Sequence, residues 1–156
     1  MKGYAAEYLV DEFFLDNLKN KTPLLCCFEH HVLIEIPFIG RLKILEEALF
    51  AMQNAGYTAI LAHPERYAAI HKTADLENLK IRGAKMQLNA LSLKGYYGPE
   101  ARKKASEWLV KGQYEFVGTD AHNEQQLLKL KSLQLNKKQR VAWRKVCERQ
   151  TEQVNA

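Results

Sequence analysis

Apolar residues recur in two rhythms along the 156-residue chain. In 41-RLKILEEALFAMQNAG-56, Leu42, Leu45, Leu49 and Met52 fall on one face of a helix, and Gly56 closes it. Short apolar runs predict strands at about 57–62, 84–89 and 114–118. Between them, 75-DLENLKIRG-83 reads as a short helix ending at Gly83, and a further helix opens at Pro99 and runs to Gly112. The start of the chain predicts a strand near residues 3–8, a helix from Val10 to Leu18, and an apolar pair at 24–27 and 31–36. The end predicts helices at 123–134 and 137–150. Strand and helix alternate throughout, which predicts an α/β fold of largely parallel strands covered by helices, open or curled toward a barrel.

No repeat, low-complexity tract or Gly/Ser linker interrupts this pattern, and the length suits a single domain over 1–156. With 47% apolar and 26% charged residues, the composition is that of a folded chain rather than a disordered one. The longest apolar runs, such as 32-VLIEIPFI-39, are too short to span a bilayer. The opening 1-MKGYAAEYLVDEFF-14 lacks the uninterrupted apolar stretch of a secretion signal, so a cytoplasmic location without membrane insertion is expected. Cys26, Cys27 and Cys147 make no C-x-x-C pair and are expected to be reduced. The net charge of +5 is concentrated, because 129–149 holds eight Lys or Arg against one Glu. This basic end, within the helical segment 123–156, could meet nucleic acid. Only Trp143 offers a base-stacking aromatic there, and a solvated helix face is the commoner meaning, so no nucleic-acid partner is expected.

The chemistry gathers at the ends of the predicted strands, where ligands bind in folds of this class. Glu35 interrupts an apolar strand, and a carboxylate there needs an ion-pair partner, a hydrogen bond or a metal. His63 ends the strand 57–62, and the following Pro64 predicts an extended His63 whose imidazole keeps strand register. Arg66 carries a planar fork suited to phosphate or carboxylate, and Glu65 either pairs with it or faces solvent. In 119-TDAHN-123, Asp120 and His122 are two apart and would point the same way in an extended segment; alternatively Asp120 or Asn123 caps the next helix. Gln87 and Asn89, also two apart, suit hydrogen bonding to a bound group or to the loop 92-SLKGYYG-98. His30 and His31 are adjacent, so in a strand they would point to opposite faces and form no ligand pair.

Taken together, Glu35, His63, Asp120 and His122 are the hard and borderline donors that Mn, Fe, Zn or Mg favour, and no thiolate accompanies them. With Arg66 beside them, metal-assisted hydrolysis of a phosphate ester is the chemistry they suit. The route through a phosphate-binding Cys-x5-Arg is closed, since the residues six beyond the cysteines are Val32, Leu33 and Gln153.

The blocks 33-LIEIP-37, 61-LAHPERY-67, 87-QLNALSLKGYYG-98 and 118-GTDAH-122, in this order, resemble the bacterial PHP-domain (polymerase and histidinol phosphatase) tyrosine-protein phosphatases of capsular and exopolysaccharide synthesis. The resemblance runs from about residue 5 to residue 130. It implies a distorted, TIM-like β/α barrel, here incomplete, with a cluster of divalent metals, manganese foremost. The implied substrate is a phosphotyrosine protein, a bacterial tyrosine kinase. It also implies that Glu35, His63, Asp120 and His122 are ligands, with Glu7 as a further, bridging carboxylate. Arg66 would hold the phosphate, with Asn89 beside it, and Arg66 and Asp120 would be the catalytic residues. The family's opening His-x-His strand has no counterpart here. The expectation is therefore a shortened domain with fewer ligands and an open sheet edge that favours homo-oligomers. The alternative is a non-catalytic relative serving as a binding or assembly module.

Overall fold

A computed structural model describes residues 4–37 and 42–155. Gly3 and Arg41, the first residues of two expected elements, lie outside the described residues, as do Phe38 and Ile39 of the apolar run 32–39. The chain divides into two compact units, residues 1–62 with 67–85, and residues 63–66 with 86–156.

The first unit holds β1 (Glu7–Leu9), α1 (Glu12–Lys19), β2 (His31–Glu35), α2 (Leu42–Asn54), β3 (Thr58–Ala62) and α3 (Thr73–Ile81). Its strands pair in parallel, with Tyr8 opposite Ile34 and Leu33 opposite Ile60. Four of the five β3 residues are buried, as a strand covered on both faces requires. α2 buries Leu45, Ala48, Leu49 and Met52, the face its periodicity predicts, while Leu42 is half-buried. α1 starts where the Asp11 carboxylate accepts the Phe14 N–H at 2.8 Å. Beyond β2, the Tyr67 hydroxyl accepts the Ile36 N–H at 3.1 Å.

The apolar stretch 24–27 is not a strand, because tyrosine hydroxyls take up its backbone donors. The Leu24 N–H goes to Tyr57 and the Leu25 N–H to Tyr8. A tight turn follows, closed by the Cys27 N–H on the His31 carbonyl at 2.7 Å and the His31 N–H on the Phe28 carbonyl at 2.9 Å. His30 therefore lies in the turn and not in the strand. Its ring stacks on His31 with centroids 5.1 Å apart, which corrects the expectation that the two imidazoles face opposite ways.

The second unit opens with a 3-10 turn, Pro64–Arg66, and continues with β4 (Lys85–Asn89), the one-turn helix α4 (Ala90–Leu93), α5 (Pro99–Val110), β5 (Phe116–Gly118), α6 (Glu124–Lys131) and α7 (Lys137–Asn155). β4 and β5 are parallel, with Leu88 opposite Val117. Trp108, Leu109, Tyr114 and Phe116 build its core. The basic α7 leaves most of its cations exposed but is tied to β5: the Gln150 amide accepts the Val117 N–H at 2.9 Å and donates to its carbonyl at 3.3 Å. The fold class is α/β with five parallel strands among the described residues, as the alternation along the chain predicts; of the two forms it allows, the sheet takes the open one. No helix among the described residues is long and apolar enough to cross a membrane.

Candidate functional site

The site of the second unit starts where the strand hydrogen bonding runs out. The His63 N–H donates to the Gln87 carbonyl at 2.8 Å, and three residues later the Arg66 N–H donates back to the His63 carbonyl at 2.9 Å. His63 itself has φ +36°, in the left-handed region, which corrects the extended conformation expected of a residue before proline. The reason is local. The chain must turn at once into the 3-10 helix, and Pro64 disfavours the right-handed region at His63, so the turn is made left-handed. The imidazole remains buried, 3% exposed.

Glu65 neither pairs with Arg66 nor faces water. It is 1% exposed, accepting the Asn89 N–H at 3.1 Å and the Tyr114 hydroxyl at 3.1 Å. Burial raises its carboxyl above the usual glutamate range, an effect opposed by the Ser92 hydroxyl and the backbone donors. Burial, and then the neighbouring Glu65, hold the Tyr114 phenol well above its usual value. The chain reading left Glu65 undecided. The available signal was its place between Pro64 and Arg66, in a turn too short to expose every side chain.

Freed from Glu65, the Arg66 guanidinium donates to Asp120 Oδ2 at 2.6 Å, with both side chains about 15% exposed, and lies 4.1 Å over the Tyr97 ring. Asn89 joins the same point, its amide donating to Asp120 Oδ2 at 3.1 Å and to the Tyr97 hydroxyl at 3.3 Å. Its carbonyl oxygen also caps α4 by accepting the Leu91 N–H at 2.9 Å. Burial raises the Tyr97 phenol. Asp120 Oδ1 faces His122 Nε2 at 2.9 Å. The two residues meet as their spacing predicts, but through a turn with Asp120 at φ +47° rather than an extended segment. Asn123 caps α6, accepting the Gln126 N–H at 3.0 Å, which leaves Asp120 for the cluster. Gln87 does not join these groups: its side chain lies over Gly118, where an added Cβ would sit 2.7 Å from Oε1. Tyr97 was missed as a site residue because aromatics in a loop look like packing.

In the first unit, β1 and β2 run side by side, with Glu7 opposite Leu33 and Leu9 opposite Glu35. Carboxylate oxygens of Glu7 and Glu35 come within 4.8 Å of one another, a pair that could hold a cation. The Asp120 and His122 donor atoms, 2.9 Å apart, have the separation that neighbouring ligands of one metal keep, roughly 3 Å for bonds near 2.1 Å. Both pairs are of the donor types that divalent metals take.

Comparison with known proteins gives these arrangements a lineage. "Tyrosine-protein phosphatase YwqE" of Bacillus subtilis (strain 168) is 32% identical over 94 residues, covering 60% of this chain and 37% of that protein. "Putative tyrosine-protein phosphatase CapC" of Staphylococcus aureus is 30% identical over 118 residues, covering 75% of this chain and 46% of that protein. The chain thus spans less than half the length of these two relatives. The fold is similar to one in "Crystal structures of YwqE from Bacillus subtilis and CpsB from Streptococcus pneumoniae, unique metal-dependent tyrosine phosphatases". The TM-score there is 0.65 at 24% identity, over 91% of this chain and 61% of that one. The sequence profile described as "Capsular polysaccharide synthesis, CpsB/CapC" matches residues 4–155, almost the whole chain, and on that match the protein belongs to the CpsB/CapC family.

Proposed function

We propose that the chain serves metal-dependent hydrolysis of phosphate esters. Its substrate is phosphotyrosine on a protein, a bacterial tyrosine kinase of capsule or exopolysaccharide regulation. The observation that carries this reading is the Arg66 fork: stacked over Tyr97, it already grips an oxyanion, the Asp120 carboxylate, at 2.6 Å beside metal-type donors. A phosphoryl group offers the same kind of oxygen to the same fork. Family membership supports the reading, as do the two relatives named as tyrosine-protein phosphatases.

In this reading Glu7, Glu35, His63, Asp120 and His122 are metal ligands, with manganese the first candidate and Fe, Zn or Mg the others. A divalent cation supplies Lewis-acid charge at the phosphoryl oxygens and acidifies water near them. Arg66 binds and orients the phosphate, and Asn89 donates a hydrogen bond at the same point. Asp120, which now binds Arg66, would turn to hold the cation. Tyr97 fixes the plane of the guanidinium and shields one face of it from water. Homo-oligomers belong to the same reading.

The test is aryl-phosphate and phosphotyrosyl-peptide hydrolysis with Mn2+. Arg66→Ala is expected to lower kcat/KM by roughly 100-fold to 1,000-fold, the scale of losing one charge-stabilising donor. Asp120→Asn should lose both rate and bound metal. Unchanged turnover in the two variants removes the proposal.

A further inference from the structure

The Glu29–His31 turn lies outside the residues assigned to phosphate chemistry, yet it carries a second set of metal-type donors. One ligand atom from each of Glu29, His30 and His31 lies within 4.8 Å of the other two. The backbone brings them together: the turn is closed on both sides of Glu29 and His30 by the hydrogen bonds between the Cys27–Phe28 and His31 main chains. Glu29 takes φ +43° within it. The His31 ring is held between Phe28, at 4.3 Å between centroids, and His30, at 5.1 Å, so one imidazole is fixed and the other stacks on it. Glu29 and His30 are exposed and reach water freely.

We infer that the Glu29–His30–His31 turn is a binding site for a divalent transition cation of the zinc type, separate from the proposed phosphatase metals. Two imidazoles and a carboxylate are a common set for zinc, leaving a coordination position to water. Ligands of one zinc ion stand about 3.3 Å apart for tetrahedral bonds near 2.0 Å, so the donors need close by only ~1.5 Å, within the reach of side-chain rotation. The site lies apart from Glu35, whose carboxylate Glu7 approaches. His31 begins β2 and Glu35 ends it, which places their Cα atoms about 13 Å apart at the rise of a strand. Its chemistry also differs: imidazoles select zinc, copper or nickel, whereas paired carboxylates accept manganese or magnesium.

Equilibrium dialysis of the full chain against Zn2+ with excess Mg2+, followed by elemental analysis, tests the site. Wild type should retain a zinc equivalent, beyond any held at His63 and His122, that His30→Ala and Glu29→Gln each lose or bind at least tenfold more weakly. Both substituted side chains are exposed, and circular dichroism confirms that the variants are folded. Asp120→Asn and Cys27→Ser should retain that equivalent. Equal zinc binding by wild type and His30→Ala overturns the site, as does loss of the equivalent in Cys27→Ser, which would assign the metal to the thiol. The zinc count is read without any enzymatic assay, so an inactive protein that still binds zinc through His30 supports this site while removing the phosphatase reading.

Discussion

The two turns that carry the candidate site of the second unit solve one problem in opposite ways. Each follows a strand and places a non-glycine residue at positive φ, His63 at +36° and Asp120 at +47°. The His63–Arg66 turn is sealed: His63 is 3% and Glu65 1% exposed, and the Glu65 carboxylate ties it to Asn89 and Tyr114. The Thr119–His122 turn is open, with the His122 side chain 74% exposed and held to Asp120. Left-handed backbone at a bulky residue costs of order 1–3 kcal/mol and persists where surroundings over-determine it. The sealed turn is over-determined by buried hydrogen bonds; the open one relies on Arg66 and Asn89, which reach across to Asp120. The sealed half is therefore expected to be rigid and the open half mobile, a division suited to a site whose exposed donors must exchange partners when a ligand arrives.

The largest expected effect breaks the rigid half. Glu65→Ala strands the Tyr114 hydroxyl and the Asn89 N–H in a buried space, a loss of about 3–4 kcal/mol in urea unfolding. Glu65→Gln keeps the shape and isolates the charge. The folded-state carboxyl is raised above its unfolded value, so its contribution to stability is fully present below the unfolded value and is lost as pH rises through the raised one. The stability of wild type relative to Glu65→Gln should therefore fall across that window as pH increases. A difference that is flat with pH, or that rises, contradicts the assignment of burial as the dominant cause.

How much of this could be read from the chain follows from range. The helical face of α2 and the strand-ending positions of His63 and Asn89 were legible, because periodicity and punctuation are local. So was the meeting of Asp120 with His122, although the backbone that achieves it is not extended. The Arg66–Asp120 pair was not legible, because it joins residues 54 apart and either could have had other partners. Glu65 was ambiguous for the same reason, since its partners Asn89 and Tyr114 are 24 and 49 residues away. The conformation of the apolar stretch 24–27 was not legible, because apolar content does not reveal that tyrosine hydroxyls will take its backbone donors.

A smaller effect probes how β5 delivers the open turn. Gly118→Ala would place a Cβ 2.7 Å from Gln87 Oε1 and 2.9 Å from its Cδ, so the Gln87 side chain must move. A flexible side chain yields at modest cost, and the loss should be about 2 kcal/mol. Adding Gln87→Ala should recover most of it. A double-mutant cycle with no coupling between the two positions would show that the glycine serves something other than this close approach.

The smallest effect sharpens the contrast by loosening the open turn alone. Asn123 accepts the Gln126 N–H at 3.0 Å, and the buried Gln126 returns to accept the His122 N–H at 2.6 Å. Helix α6 and the turn that precedes it therefore share a clasp. Asn123→Ala removes the cap at a cost of about 1 kcal/mol, and Asn123→Asp, whose carboxylate can accept the same N–H at a helix N-terminus, should restore it. Because the clasp lies on the open side, hydrogen exchange at the His122 and Gln126 amides should accelerate in Asn123→Ala. The Asn89 amide, bound to Glu65 in the rigid half, should keep its protection. Equal acceleration at all three would mean that the two turns yield as one body, and the division between a rigid and a mobile half would have to be given up.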